Sequence, residues 1–448
     1  MTVIERIKND RDGDLIKLLD YAKSNGIPGY TFPGNKTLLL PCFQLVRNKA
    51  EIFANHKPVL TISIGGSNVK IMLASMKDGR VQVQQLLAKA NPEVMTEFND
   101  YFADLLLTKP EFKDYLNKDD AIIGVSIAVA IVNGIPLHPS KVPFVKNLIA
   151  RDYKKDLLTH NFCENLQNFL TANKLKKAEI YLEGDCPLAH LGSVMMSGLS
   201  AAEPSFLSIC GTGMATAEDE IFILFSWAKM LTAEDPELFP ATETEGGQFQ
   251  YCVAGKGLWS FMRRAVILKS KEAGSQLASA EVLKWFTSAA DSKNVGLIWE
   301  SALPDGGSNA KSAEIRASMP AAAFAELQEL SLAIMAKAVS VFVNNTLATL
   351  ICLGEKAVNK NCHIFIEGSI ANNKCFYPRF KKELEERCAD QQLFTKIDRK
   401  MPAMPVILND VIKADPAGNL PAQLMREVDI TSVGALSLAI AKQELHKN

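Results

Sequence analysis

The chain has 448 residues, 48 % of them hydrophobic and 22 % charged, which suits a large globular body with ample core and room for two folding units. Its 49 basic and 50 acidic residues leave a formal net charge of −1, so no basic excess points to a nucleic-acid partner. Nine scattered cysteines without a Cys-x-x-Cys pair argue against a zinc ribbon or a redox motif and for a reducing, cytoplasmic setting.

In chain order, residues 1–14 carry too much charge for a secretory leader, and the first 50 residues read as helical, with a turn at Gly29, Pro33 and Gly34. Strand character begins at 58–64 (PVLTISI), resumes at 69–75 after Gly65-Gly66-Ser67, and continues at 81–87 beyond Asp78-Gly79, a two-residue hairpin signal. This opens a sheet as a meander. A helix is expected over 92–107. The uncharged run 121–131 fits a strand buried on both faces, and at this length the apolar stretch cannot span a bilayer. Helical patterning over 150–174 leads to a short strand at 180–182, ended by Gly184-Asp185, and to a helix over 189–197. The theme then repeats: an apolar strand at 205–210, a turn at Gly211-Thr212-Gly213, a strand at 221–227, a long buried helix at 327–350, and a strand at 362–366 ending in Glu367-Gly368-Ser369. Two such rounds suggest a duplicated α/β unit.

Three bends, Gly65-Gly66-Ser67-Asn68, Gly211-Thr212-Gly213 and Gly368-Ser369, share one design. Glycine brings backbone N–H groups close to a ligand, successive N–H groups form anion-binding concavities, and hydroxyls add donors. Each alone is ordinary turn chemistry; three at strand ends are more telling. The Walker pattern fails, because the only Gly-Lys, Gly255-Lys256, is followed by Gly257. A dinucleotide fingerprint at Gly211 fails too, since it needs a helix where a strand is expected. Asp185, at a strand end, is placed to take a proton from a hydroxyl, or else simply to cap a helix. Glu245 either accepts hydrogen bonds from sugar hydroxyls or is a surface turn residue.

In their order these pieces resemble the hexokinase family of the actin-like ATPase superfamily over nearly the whole chain. Ile64-Gly65-Gly66-Ser67-Asn68-Val69-Lys70 resembles the first phosphate motif Leu-Gly-Gly-Thr-Asn-Phe-Arg, and Gly211-Thr212-Gly213 the second. Gly184-Asp185 is similar to the Asn-Asp of the catalytic base, and Thr244-Glu245 to the Thr-Glu that binds glucose. Glu367-Gly368-Ser369-Ile370 with Tyr377-Pro378-Arg379-Phe380 resembles the adenosine motif, and Ser432-Val433-Gly434-Ala435-Leu436 the C-terminal segment near the nucleotide. Ser140-Lys141 aligns loosely with a sugar-contacting Thr-Lys pair.

The resemblance implies an α/β, two-lobed actin-like ATPase (ribonuclease H-like) fold of hexokinase type, duplicated around a cleft. The small domain would be 57–184 plus 434–448, and the large domain 1–56 plus 185–433. It implies ATP with Mg2+, a sugar substrate and 6-phosphorylation of a hexose. Asp185 would be the base. Gly65, Gly66, Ser67, Asn68, Lys70, Gly211, Thr212, Gly213, Gly368, Ser369 and Ser432 would hold the nucleotide, and Glu245, Ser140, Lys141 and Gly184 would face the sugar. Three departures stand out. The motif's magnesium-associated Asp is Ser63, the Asn before the base is Gly184, and a second sugar-binding Glu is Ser260. They keep two alternatives open: a sugar or nucleotide sensor without turnover, and a kinase of another sugar such as an amino sugar.

Overall fold

The structure, a computed structural model, describes residues 1–7, 11–24, 39–48, 50–65, 68–91, 98–128, 131–132, 135–136, 162–200, 202–211, 214–219, 222–223, 235–240, 248–288, 293–301, 310–409 and 428–447. After a single helical turn at Val3–Arg6, the helices α1 (Arg11–Ser24) and α2 (Leu40–Asn48) precede the first sheet. That sheet begins with β1 (His56–Ile64), β2 (Asn68–Lys77) and β3 (Arg80–Ala90), an antiparallel meander. The hairpin at 78–79 is as expected: Asp78 (φ 52°) and Gly79 (φ 71°) are both left-handed, which matches the twist of the flanking strands. β4 (Ile122–Ile127) adds parallel to β1, and all six of its residues are buried. Two short strands, β5 (Ile131–Val132) and β6 (Ile135–Pro136), pair antiparallel next. β7 (Glu179–Gly184) pairs parallel to β4, giving the order β3-β2-β1-β4-β7.

The second sheet repeats this plan. β8 (Ser205–Cys210), β9 (Met214–Glu218) and β10 (Phe222–Ile223) are antiparallel. β11 (His363–Glu367) and β12 (Val406–Asn409) then add in parallel, in the order β10-β9-β8-β11-β12. In both sheets the third, second, first, fourth and fifth strands in chain order lie side by side, so the duplication is a property of the fold. The strand directly after the second glycine turn is β9, whose MATAE sequence lacks the β-branched run that marks strands; of the expected 221–227 strand the described part is β10 alone.

A helical layer lies between the sheets. α3 (Asp185–Ser197) touches β4 and β7 on one side and β8 and β9 on the other. α3 starts four residues earlier than its apolar pattern suggests, because Pro187 falls in the first turn, where a missing N–H costs nothing. The 32-residue α4 (Ala321–Cys352) packs on α1 and on α5 (Phe376–Cys388), and α6 (Ile430–Lys447) closes the chain. α4 is long and apolar enough to cross a membrane, but 89 % of its most apolar stretch is buried inside the protein, as a core helix would be. The middle core joins Val59 and Met72 of the first sheet to Leu207 and Phe365 of the second through α2, α3 and α6.

Glycines set how tightly this layer closes. A Cβ on Gly434 of α6 would lie 1.8 Å from the Leu188 carbonyl oxygen of α3, and one on Gly192 of α3 would lie 2.4 Å from that of Ile430. Gly124 of β4 likewise lets the Ala435 carbonyl approach, with 2.3 Å to a built Cβ. A buried polar cluster ties α2 to both. Arg47 donates to Ser205 Oγ (2.6 Å) and Asp219 (3.0 Å), and His190 Nε2 lies 3.0 Å from Ser205 Oγ. Ser205, His190 and Asp219 sit together, but His190 Nδ1 stays 3.8 Å from Asp219 and makes no hydrogen bond among the described residues, so they do not form a hydrolytic triad. Burial favours the neutral form of His190 and Ser205 is buried, so the cluster is an anchor.

Candidate active site

The parallel register places the first glycine bend and the candidate base at one sheet edge. Ile64, Ile127 and Gly184 are level across β1, β4 and β7. Gly65 and Asp185 each follow one residue later, so they stand two strand spacings, roughly 10 Å, apart. Asp185 is the first residue of α3, after an extended Gly184 (φ −67°, ψ 152°). The cap position is therefore Gly184, and Asp185 is not the helix cap. The Asp185 carboxyl is half-buried. Desolvation by the surrounding protein, opposed by backbone N–H donors at its own helix start and reinforced by the nearby Asp429, pushes its pKa up to about 6.

Gly65 serves the bend differently than expected. Its N–H donates to the Asn68 carbonyl (2.9 Å), so this amide closes the turn and is not free for a ligand. Its carbonyl accepts from Asn91 Nδ2 (2.8 Å), and Asn91 Oδ1 accepts from Tyr101 Oη (3.3 Å). Asn91 is buried and carried no sequence signal beyond preceding a proline. Gly66 and Ser67 lie outside the described residues. Asn68 is exposed at the start of β2, and Lys70 is half-buried.

At the second sheet, the other two bends meet. Gly368 has φ 103°, a conformation that favours glycine, and a Cβ there would lie 2.3 Å from the Cys210 carbonyl oxygen. A Cβ on Gly211 would come within 3.8 Å of the Gly368 Cα. The Cys210 carbonyl accepts the N–H groups of Ile370 and Ala371, locking the bends together. The Gly255 N–H, at the start of the helix Gly255–Lys269, donates to the Gly211 carbonyl at 2.7 Å. Ser369 is exposed beside them, and Ser260 lies half-buried in that helix. Phe380 of the Tyr-Pro-Arg-Phe segment is core, 4.9 Å from the ring of Phe342. Thr212, Gly213, Glu245, Ser140 and Lys141 lie outside the described residues.

The α6 face of the first sheet carries a polar row near this edge: Lys70, Ser63, Ser126 and Glu183 are register partners across β2, β1, β4 and β7. Burial pushes the Glu183 carboxyl up to about 7, although its Oε1 accepts the Gly184 N–H at 2.9 Å. Asp429 caps α6 by accepting the Ser432 N–H (2.7 Å) and pairs with Lys70 (3.1 Å). The buried hydroxyls of Ser126 and Ser432 have no hydrogen-bond partner among the described residues. Together with the start of an 18-residue helix, these are donors of the kind that bind oxyanions. Glu183 and Asp429 were not legible as site residues: one reads as a strand residue, the other as part of a polar loop. Among the described residues, no three His, Cys, Asp or Glu side chains form a metal cage.

Solved structures settle the architecture. A hexokinase crystal structure superposes with a TM-score of 0.63 over 98 % of both chains at 13 % identity. The chain has the hexokinase fold. A hexokinase from Schistosoma mansoni complexed with glucose gives 0.60 over 98 % of this chain and 96 % of that one, also at 13 % identity. The fold is thus the two-lobed α/β architecture that the motif order implied. No family model and no curated protein matches the sequence.

Proposed function

We propose that this chain is an ATP-dependent sugar kinase, transferring a phosphoryl group to a sugar hydroxyl with Asp185 as general base. The observation that carries the reading is the position of Asp185: a half-buried carboxylate at the end of β7, level with the first glycine bend, in a chain with the hexokinase fold over its full length. At neutral pH a group with a pKa of about 6 is ionised yet still basic enough to take a hydroxyl proton as that oxygen attacks. Lys70, Ser432, the 65–68 bend and the paired bends at Gly211–Gly213 and Gly368–Ser369 would hold the phosphates. Glu245, Ser140, Lys141 and the Gly184 backbone would face the sugar. Magnesium, when bound, would neutralise charge on the phosphate oxygens. With Ser63 in place of a carboxylate, Asp185, Asp429 and the buried Glu183 are acidic groups near this edge among the described residues, and an ion carried by phosphates needs only one or two.

The lobes would divide as 57–184 plus 434–448 against 1–56 plus 185–433, and their closure would exclude water that otherwise hydrolyses the donor. A hexose phosphorylated at its 6-hydroxyl is the favoured acceptor. Gly184 and Ser260 remove two polar sugar contacts, each worth on the order of 1 kcal/mol, and so favour a second reading of altered substrate, such as an amino sugar, or of sensing without turnover. ADP release with ATP and magnesium across hexoses and amino sugars decides between them. Sugar-dependent release with one acceptor supports the kinase; nucleotide binding without release on any sugar supports the sensor.

A further inference from the structure

The ion pair between Lys70 and Asp429 joins the first sheet to the start of the C-terminal helix at the candidate site. Lys70 lies near the start of β2, beside the first glycine bend, and Asp429 immediately precedes α6. We propose that Asp429 is a positioning residue that fixes the Lys70 amine over the α6 N-terminus as an anion-binding group for the phosphate donor. This rests on the kinase reading above and deepens it.

Three observations carry the inference. First, a lysine side chain is a flexible four-carbon stem and is expensive in entropy to hold in one place. Lys70 is 24 % exposed and its one described partner is Asp429, at 3.1 Å. Secondly, Asp429 is itself immobilised, because its other oxygen accepts the Ser432 N–H at 2.7 Å as the cap of an 18-residue helix. The anchor is therefore rigid, and the close α3–α6 crossing at Gly434 and Gly192 holds that helix in turn. Thirdly, the residue opposite Lys70 in the β1–β2 register is Ser63, where the resembled motif carries a carboxylate. The acidic neighbour of this lysine thus comes from the residue that caps the C-terminal helix. Asp429 also lies close enough to Asp185 to disfavour its ionised form, so all three groups share one edge.

Asp429 carries a negative charge, which taken alone would repel an anion. Its charge is balanced by Lys70 and by the helix N-terminus, and what remains for a ligand is an oriented amine at a helix start that also carries the Ser432 hydroxyl, unpartnered among the described residues. Orientation and repulsion predict opposite signs for the loss of the carboxylate, which makes the inference testable.

The test is calorimetric titration of the full chain with inorganic tripolyphosphate, for wild type, Lys70→Ala, Asp429→Asn and the double variant. Asn keeps helix-capping ability, so the melting temperature of Asp429→Asn should stay at the wild-type value, which separates positioning from structural support. We expect Lys70→Ala to weaken binding, Asp429→Asn to weaken it roughly five-fold, as for an exposed-to-half-buried pair, and the double variant to be no weaker than Lys70→Ala. Asp429→Asn binding as tightly as wild type or more tightly, additive losses in the double variant, or no tripolyphosphate binding by the wild type would each overturn the inference. The two proposals fail separately. Tripolyphosphate binding with the expected coupling but no sugar phosphate formed refutes only the kinase. Sugar phosphate formed with Asp429→Asn binding unimpaired refutes only the positioning role.

Discussion

Glu183 should make the protein less stable as the pH rises towards neutrality, and replacing it with glutamine should remove the effect. Its carboxyl is 8 % exposed at the end of β7, and burial raises its pKa from 4.5 to about 7. The folded state thus binds the proton more tightly than the unfolded state does. The sign follows from linkage: the stabilisation is complete below pH 4.5, falls between about 4.5 and 7, and is absent above. A displacement of roughly two and a half pH units corresponds to about 3 kcal/mol. Glutamine keeps an oxygen to accept the Gly184 N–H and carries no charge to desolvate. Urea unfolding at pH 5 and pH 8 is the assay. Glu183→Gln should come within about 1 kcal/mol of wild type at pH 5 and exceed it by about 3 kcal/mol at pH 8. Equal stability of the two proteins at pH 8, or a glutamine variant weaker at both, would refute the reasoning.

Two further predictions concern the scaffold. Gly434→Ala places a methyl against the Leu188 backbone at 1.8 Å, where no side chain can yield, so α3 and α6 must separate. We expect a loss of about 3 kcal/mol, at the upper end for overpacking, read by thermal or urea unfolding; Gly79→Ala, in open space but at a left-handed φ, should lose only about 1 kcal/mol. Lys337 of α4 and Asp14 of α1 form an ion pair at 3.0 Å with side chains 4 % and 2 % exposed. Lys337→Met should cost about 3–5 kcal/mol by stranding Asp14, and the Lys337→Met/Asp14→Leu double variant should recover most of it.

Much of the fold was legible because its signals are local. The 58–64, 69–75 and 81–87 runs and the Asp78-Gly79 turn specify the meander through alternation and turn chemistry, and the apolar β4 announces its two covered faces. The repeat of strand, glycine bend and strand gave the duplication. β9 was missed because its small residues draw their burial from tertiary packing, and the start of α3 was masked by Pro187. Of the site, the bends and Asp185 carried sequence patterns. The Gly211–Gly368 contact, the Asn91 clamp on Gly65 and the Lys70–Asp429 pair join residues far apart in the chain, and nothing in the local sequence marks such pairings.

Catalysis by Asp185 is tested most directly by comparing wild type with Asp185→Asn for formation of a phosphorylated sugar, by phosphorus NMR with ATP, magnesium and the accepted sugar. The account predicts sugar phosphate from wild type, with kcat/KM falling below about pH 6 as the carboxylate protonates, and a loss of at least 100-fold in Asp185→Asn with nucleotide binding retained. Undiminished product from the asparagine variant would contradict it.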